Sequence, residues 1–396
     1  MSLSLVAGPA NAGKVALLLE RYLARLDDEP TLIVPNGSDV DRVERDLLAR
    51  CGCLMGGSIG TFDDLFDRLV ARDPARRPVA TDAQQALVVR RAVAAVHLEE
   101  LAGSSRTSGF AESLLSTLGE LESGLLDPSD LDGELAELHS AYRAELDRVG
   151  LWDRDRLRRR AAERLSGELG AWQGNPVFAY GFEDLTGAQW SLLEALAGRA
   201  DVEVSLPYEP GRIAFASLRR TVEDLSRLAD GRIEELPARS DEYQAPALAH
   251  LERALYEESP PAPPQLEGAI RFFEGAGARG TLELVGDEIL ALIRAGTPAD
   301  QIAVVAPSFD RWRAPLDTVL GSLGVPYAVE SRARFGSTPL GHAALQLFRY
   351  VWLEGTRREL FAFLRSPYSG LARSSVDFVE GRLRGRAIHT ALRVEE

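Results

Sequence analysis

The first 70 residues alternate short apolar runs with amphipathic stretches, which is the pattern of successive strand and helix units. The apolar runs predict strands at residues 3–6, 31–34 and 58–61. The amphipathic stretches predict a helix after each strand, at residues 15–26, 39–49 and 63–70. Because strands joined through helices run parallel, we expect a parallel sheet covered by helices.

The strand pattern stops between residues 76 and 165, where long helical periodicities such as TDAQQALVVRRAVAAV and ELAELHSAYRAELDRVG replace it. It returns at residues 176–180 and 202–206, with a helix between them at residues 188–196. The pattern therefore predicts one sheet interrupted by a large helical insertion.

A proline-rich run, SPPAPPQ at residues 259–265, predicts a stiff linker. Beyond it, strands predicted at residues 270–273 and 302–306 alternate with helices predicted at residues 281–294 and 315–323. This alternation predicts a second α/β domain. After residue 341 the pattern stays helical without a closing strand, so we expect the native polypeptide to continue past residue 396.

Composition excludes several classes of protein. The 396 residues are 45% hydrophobic and 27% charged, which suits two or three globular domains. No apolar stretch approaches the roughly 18 residues of a membrane helix, and the N-terminus lacks the regions of a signal peptide, so we expect a cytoplasmic protein without membrane contact. The net charge of −15 argues against general coating of nucleic acid but allows a local basic groove. Cys51 and Cys53 have no second pair, so no metal centre is expected.

The segment GPANAGK, residues 8–14, fits the GxxxxGK part of a phosphate-binding loop and lies between a predicted strand and a predicted helix. Its lysine is the only one in the chain. Successive N–H groups of such a turn, the helix N-terminus and the lysine together hold phosphates. The candidate nucleotide-binding residues are Gly8, Ala10, Asn11, Ala12, Gly13, Lys14 and Val15. At the last position a serine or threonine would bind Mg²⁺, and Val15 cannot.

Four further blocks occur in a set order, TLIVPNGSDVDRVERDLLAR, SIGTFDDLFDRLV, NPVFAYGFEDLTGAQWSLLEALAG and residues 302–351. Together they resemble superfamily-one helicases of the UvrD type, and more closely the AddB-like subunits of bacterial ATP-dependent helicase–nucleases. The resemblance implies that the first two blocks contact single-stranded DNA. The candidate DNA-binding residues are Asn36, Gly60, Thr61 and Phe62, although Phe62 also fits a core position.

The third block occupies the place of the Walker B motif. Phe182, Asp184 and Gln189 match the family pattern, but the metal-binding aspartate and catalytic glutamate fall on Tyr180 and Gly181. An alternative register, with Glu183 and Asp184 as the acidic pair, stays open.

The fourth block matches the start of the family's second motor domain. The matching residues are Pro326, Tyr327, Arg334 and Phe335. The usual nucleotide-facing arginine falls on Pro307, although Arg311 or Arg313 could reach the same region. The arginine-rich run at residues 153–160 fits either a DNA-contacting helix or a solvated face of mixed charge.

The resemblance predicts a RecA-like parallel sheet with a helical insertion, followed by the beginning of a second RecA-like domain. The first part of the sheet domain is expected at residues 1–75, the insertion at 76–165, the second part at 166–237, a linker at 238–268, the second domain at 269–345 and a truncated helical segment at 346–396. A PD-(D/E)XK nuclease domain and a four-cysteine cluster would follow downstream.

The implied function is an inactivated helicase-like, DNA-binding region of a helicase–nuclease subunit in recombinational repair of double-strand breaks. It would grip single-stranded or unwinding double-stranded DNA beside an AddA-type helicase–nuclease subunit. No catalytic residue is assigned; ATP would be a weak or structural ligand, and Mg²⁺ lacks its anchor. The alternative is an active DNA-dependent ATPase using Lys14 with Glu183 and Asp184.

Overall fold

The structure is a computed structural model that describes residues 2–107, 109–307, 309–329, 335–353 and 355–385. The chain divides into two compact units, a first unit of residues 1–270 and a second unit of residues 271–396.

The first unit is built on a six-stranded sheet in which every pairing is parallel. Its strands are β1 (Ser2–Gly8), β2 (Thr31–Ile33), β3 (Ser58–Gly60), β4 (Val177–Tyr180), β5 (Asp201–Pro207) and β6 (Ile233–Glu235). They lie in the order β3-β2-β4-β5-β1-β6. This confirms the α/β fold class with a parallel RecA-like sheet. Only the short edge strand β6 had no predicted counterpart.

Helices cover both faces of this sheet. On one face, α1 (Lys14–Ala24) and α2 (Gly37–Cys51) bury Leu18, Tyr22 and Val43 against β2 and β4. On the other face lie α3 (Phe62–Val70), α7 (Arg154–Gly167), α8 (Gly187–Ala197) and α9 (Arg219–Leu228). Strand side chains alternate between the two faces, which explains why the predicted strands are almost continuously apolar.

The helical insertion predicted between β3 and β4 is present. Its helices α4 (Asp82–Ala95), α5 (Phe110–Ser123) and α6 (Gly133–Val149) share one apolar core, and α7 packs on α3 and α8. Thr81 caps α4 in a capping box with Gln84, which fixes where that helix begins. In the described part of this segment, the only strand-like pairing is an isolated bridge between Val79 and Trp152.

The end of the first unit contains α10 (Pro246–Ala254), which lies inside the segment predicted as a linker at residues 238–268. The described helices of the second unit are α11 (Gly277–Arg294), α12 (Phe309–Leu323), α13 (Pro339–Trp352), α14 (Arg357–Leu364) and α15 (Arg373–Gly385). None of the described helices is long and apolar enough to cross a membrane.

The strands predicted at residues 270–273 and 302–306 are wrong. Both runs lack strand pairing in the described residues, and Phe272 and Val305 are 88% and 92% exposed. A strand needs a neighbour to satisfy its backbone N–H and C=O groups, and an apolar run cannot supply one alone. The start of a second RecA-like domain therefore stays a prediction, as do the predicted domain boundaries.

Candidate functional site

The predicted phosphate loop connects β1 to α1 at the carboxyl edge of the sheet. Gly8 ends β1 in a tight position, where an added Cβ would lie 2.9 Å from the Leu236 carbonyl oxygen and 3.0 Å from the Ala12 Cβ. Gly13 has a φ of 87° and caps α1 without a side-chain hydrogen bond. Among the described residues, no side chain therefore accepts from the first N–H groups of α1, and this arrangement favours an anion.

Lys14 is the first residue of α1 and folds back over the loop. Its Nζ donates a hydrogen bond to the Pro9 carbonyl oxygen. Burial lowers the pKa of Lys14, and the nearby Glu252 carboxylate partly offsets this effect. Val15 is 39% exposed and offers no oxygen atom. The loop can therefore supply a cation and backbone donors to phosphate, but this position gives no ligand to Mg²⁺.

A second cation lies over the loop. The guanidinium Cζ of Arg239 is 3.6 Å from the point where a Gly13 Cβ would stand, and both terminal nitrogens are within 3.7 Å of that point. The Arg239 side chain is 53% exposed and has a distant carboxylate neighbour in Glu242, at 3.6 Å. A cavity of about 180 Å³ beside the loop is lined by Ala10, Arg239, Tyr243, Glu252 and Arg253 among others.

Sequence reasoning missed Arg239. It assigned the nucleotide-facing arginine to Pro307, with Arg311 or Arg313 as substitutes, and all three lie in the second unit. Arg239 follows β6, and β6 pairs with β1 in the sheet. This pairing brings Arg239 close to the phosphate loop that follows β1. No sequence signal marks this arginine, because β6 is three residues long, mostly polar, and ends four residues before it.

The position of the family's metal-binding aspartate holds a buried tyrosine. Tyr180 ends β4, is 4% exposed, and packs in the core formed with α1 and α2, near Leu18 and Val43. Burial raises the pKa of Tyr180, so the hydroxyl stays neutral at neutral pH. This residue therefore gives no anionic metal ligand at the end of β4.

The position of the family's catalytic glutamate holds a glycine with no space for a side chain. Gly181 has a φ of 81°, in the left-handed region that favours glycine. An added Cβ would lie 2.6 Å from Cγ and 3.2 Å from Cδ of Pro35. A glutamate here would meet both the backbone strain and the proline ring.

Glu183 and Asp184, the alternative acidic pair, are both exposed beyond the end of β4. Asp184 accepts a hydrogen bond from the backbone N–H of Leu185 at 2.9 Å. In the part of the chain that the structure describes, neither carboxylate bonds to a residue of the phosphate loop. Thr186 caps α8 in a capping box, in which the Gln189 side chain accepts from the Thr186 N–H at 2.9 Å.

The predicted DNA contacts lie in two adjacent turns. Because β2 pairs with β3, the turn after Ile33 lies beside the turn after Gly60, and the Val34 N–H donates to the Gly60 carbonyl at 2.9 Å. Asn36 caps α2, and Thr61 caps α3 through a capping box. These polar side chains therefore already have structural roles, and their contact with DNA stays a prediction.

Phe62 lies in the core. It is 3% exposed, and its ring centroid is 4.7 Å from that of Phe182 and 6.4 Å from that of Phe66. This geometry leaves no open ring face for a base and favours the core interpretation.

Two residues of the fourth block can be compared with the structure. The Tyr327 hydroxyl donates to the Asp317 carboxylate at 2.8 Å, and Arg334 lies outside the described residues.

The arginine-rich run at residues 153–160 forms the start of α7, capped by Asp153. Its arginines bind carboxylates of neighbouring elements. The pairs include Arg158 with Asp63 at 2.9 Å, Arg159 with Asp127 at 3.0 Å and Arg160 with Asp73 at 2.6 Å. These contacts hold α7 against α3 and the insertion, as expected of a mixed-charge helix face that is partly packed.

Among the described residues, no three histidine, cysteine, aspartate or glutamate side chains converge in a metal-binding cluster. Cys51 and Cys53 are exposed free thiols. The carboxyl edge of the sheet thus combines a phosphate loop, two cations and two altered acidic positions.

Comparison with known proteins gives relatives over almost the whole chain. The curated protein from Pelotomaculum thermopropionicum is 26% identical over 96% of this chain and 36% of its own length. The protein from Moorella thermoacetica is 27% identical over 96% of this chain and 37% of its own length. The protein from Symbiobacterium thermophilum is 27% identical over 70% of this chain and 28% of its own length. Each is described as the B subunit of an ATP-dependent helicase/deoxyribonuclease.

These relatives confirm the resemblance to AddB-like subunits that the sequence blocks indicated. The chain spans about a third of the length of the curated relatives it matches. No family model matches the chain.

Proposed function

We propose that this chain, which is similar over nearly its whole length to B subunits of ATP-dependent helicase/deoxyribonucleases, is a helicase-like region that binds nucleotide and DNA without hydrolysing ATP. The observation that carries the proposal is the end of β4. There, a buried Tyr180 and a space-restricted Gly181 replace the two carboxylates that hydrolysis requires.

Phosphate binding is supported by the geometry of the loop. Gly13 is the N-cap of α1 and has no side chain to cover the helix N-terminus. The side chains of Lys14 and Arg239 place two cations at the loop. A nucleoside triphosphate carries several negative charges, so helix N–H groups and two cations favour its binding. The residues therefore fit the phosphates of a nucleotide.

The two positions that would hold Mg²⁺ lack metal ligands. Mg²⁺ prefers oxygen ligands in octahedral geometry, and Val15 and Tyr180 offer neither a hydroxyl at the loop nor a carboxylate at β4. The residues at these two positions therefore do not fit Mg²⁺, although the loop residues fit phosphate. We expect nucleotide affinity to be nearly the same in Mg²⁺ and in EDTA.

Hydrolysis lacks its essential groups. Phosphoryl transfer needs charge neutralisation and an oriented water, and loss of the general base alone can slow turnover by several orders of magnitude. Arg239 can stabilise charge on bound phosphate but cannot accept a proton from water, because arginine stays protonated. The bound nucleotide would then act as a structural ligand.

In this proposal the chain contacts single-stranded or unwinding DNA while a partner protein of the AddA type provides the motor. The complex would act in repair of double-strand breaks by recombination. Asn36 and Thr61 remain the proposed DNA-facing residues, because their turns are adjacent at the carboxyl edge of the sheet.

A steady-state ATPase assay of the full chain, with Mg²⁺ and an oligothymidylate, tests the proposal. We expect no turnover above a protein-free control, while a fluorescent ATP analogue still binds and Lys14→Ala weakens that binding. The matched control is Arg220→Gln, a charge loss at a side chain that is 93% exposed on α9.

The competing function is an active ATPase that uses Lys14 with Glu183 and Asp184, both of which are exposed. DNA-stimulated turnover that both Lys14→Ala and Asp184→Asn abolish would establish it and refute the proposal. A third outcome, in which neither ATP nor oligothymidylate raises the melting temperature, would indicate a scaffold and contradict the proposal equally.

A further inference from the structure

One cavity of the first unit lies away from the phosphate loop. It has a volume of about 730 Å³, within the range typical of small-ligand sites. Thr31 and Ser58, the first residues of β2 and β3, line it. Since all strands are parallel and the phosphate loop follows the end of β1, this cavity lies at the opposite edge of the sheet.

Arg68, near the end of α3, is the central cation of the cavity. Its two terminal nitrogens donate to Ser58 Oγ at 2.9 Å and to Thr31 Oγ1 at 2.8 Å. Its Cζ lies 5.1 Å from the ring centroid of Trp172. A guanidinium has five N–H donors, so three remain without a partner among the described residues.

The charge of Arg68 is also uncompensated. In the described part of the chain it forms no ion pair, and burial lowers the pKa of Arg68. Among the described residues that line the cavity, the one carboxylate, Glu29, accepts the Gly57 N–H at 2.9 Å. Most arginines of α7 pair with carboxylates, which makes an unpaired arginine beside an indole distinctive.

A second cation lines the same cavity. Arg72 follows the end of α3, is exposed, and has no hydrogen bond or ion pair among the described residues. Arg164 also lines the cavity, but it is engaged by Glu168 and by the Leu69 carbonyl. Two guanidinium groups are thus available to a ligand.

Hydrogen bonds hold the rim of the cavity. The Trp172 indole N–H donates to the Asn175 carbonyl at 2.9 Å, and the Asn175 amide donates to the carbonyls of Asp28 and Glu29 at 3.2 and 3.0 Å. The indole therefore stays in place against Arg68 without help from a ligand. A preformed site loses less conformational entropy when a ligand binds.

We propose that the cavity lined by Arg68, Arg72 and Trp172 binds a phosphate ester, as carried by a nucleotide unit. The planar guanidinium matches phosphate in a bidentate geometry, and the hydroxyls and indole provide polar and aromatic contacts to the attached nucleoside. The phosphate ester belongs either to a free mononucleotide or to one nucleotide unit of single-stranded DNA. The proposal does not depend on the phosphate loop, which lies at the other edge of the sheet.

The test uses the full chain with Lys14→Ala, so that the phosphate loop contributes little. Isothermal titration calorimetry compares thymidine, thymidine monophosphate and an oligothymidylate of ten residues. We expect thymidine to bind at least about tenfold more weakly than the phosphorylated probe that binds best, because a charge-assisted hydrogen bond contributes about 1.5 kcal/mol or more. Equal affinity for thymidine would overturn the proposal.

Substitutions identify the cavity. Arg72→Gln removes the charge of an exposed side chain that has no hydrogen bond or ion pair among the described residues, and it should weaken binding of the phosphorylated probe about tenfold. Arg68→Lys keeps the charge but loses the bidentate geometry, and it should also weaken binding. Arg220→Gln is the matched control and should leave affinity unchanged.

The two sources give different results. Equal affinity per site for the monophosphate and the oligonucleotide identifies a free nucleotide as the ligand. Binding of the oligonucleotide alone, with a salt dependence that Arg72→Gln reduces by about one counterion, identifies a DNA strand. Absence of binding by every probe, or affinities that neither substitution changes, would refute the proposal.

Discussion

Replacing Gly181 with alanine tests the claim that the turn after β4 cannot hold a catalytic side chain. Two costs are expected. A φ of 81° strains any residue with a Cβ, at about 1 to 2 kcal/mol. The added Cβ would also lie 2.6 Å from Pro35 Cγ, and such overpacking typically costs about 1 to 3 kcal/mol. Together, Gly181→Ala should lower the free energy of unfolding by about 2 to 5 kcal/mol.

The chain contains a matched control for the first cost. Gly211 has the same φ of 81°, and a Cβ there would meet no atom within 4 Å. Gly211→Ala should therefore cost only the backbone strain, about 1 to 2 kcal/mol. The difference between the two variants isolates the contact with Pro35, and it should shrink when Pro35→Ala is combined with Gly181→Ala.

Urea unfolding followed by far-ultraviolet circular dichroism measures these free energies. Equal destabilisation by Gly181→Ala and Gly211→Ala would refute the steric argument. So would a Gly181→Glu variant as stable as the native chain, because the missing glutamate could then be accommodated.

Three further predictions concern other residues. Burial alone would raise the pKa of Glu122, but hydrogen bonds that include one from His139 outweigh it and lower the pKa to about 2. The ionised Glu122 therefore stabilises the fold by on the order of 3 kcal/mol. This stabilisation is complete above the unfolded pKa near 4.5 and is lost as the pH falls towards 2. The free energies of unfolding in urea at pH 5 and at pH 3 should differ less for Glu122→Gln than for the native chain. Arg239→Gln should weaken binding of a fluorescent ATP analogue about tenfold, equally in Mg²⁺ and EDTA; an effect seen only with Mg²⁺ would contradict a direct contact with phosphate. Asn36→Ala and Thr61→Ala should each cost about 1 kcal/mol of stability in urea unfolding as lost helix caps, and a neutral result would argue against those caps.

The sheet of the first unit could be predicted from sequence because each central strand carries its own signal. In β4 every residue is buried, and in β1 every residue from Leu5 onward is buried, so these strands carry short apolar runs that end at glycine. The phosphate loop could be predicted because its spacing is specific and its lysine is unique in the chain.

Other features depend on which elements meet in space. The edge strand β6 is three residues long and mostly polar, so its periodicity is too short to read, and Arg239 was missed with it. The space limit at Gly181 comes from Pro35, which is distant in sequence. The runs at residues 270–273 and 302–306 have strand-like composition without the partner that a strand requires.

The central claim is that nucleotide binds at the phosphate loop but is not hydrolysed. The most direct measurement incubates radiolabelled ATP with an excess of the full chain, Mg²⁺ and oligothymidylate, and then identifies the protein-bound nucleotide by chromatography. We expect the bound nucleotide to be recovered as ATP, and Lys14→Ala to reduce the amount retained. Recovery of ADP from the native chain, but not from Lys14→Ala, would contradict the claim.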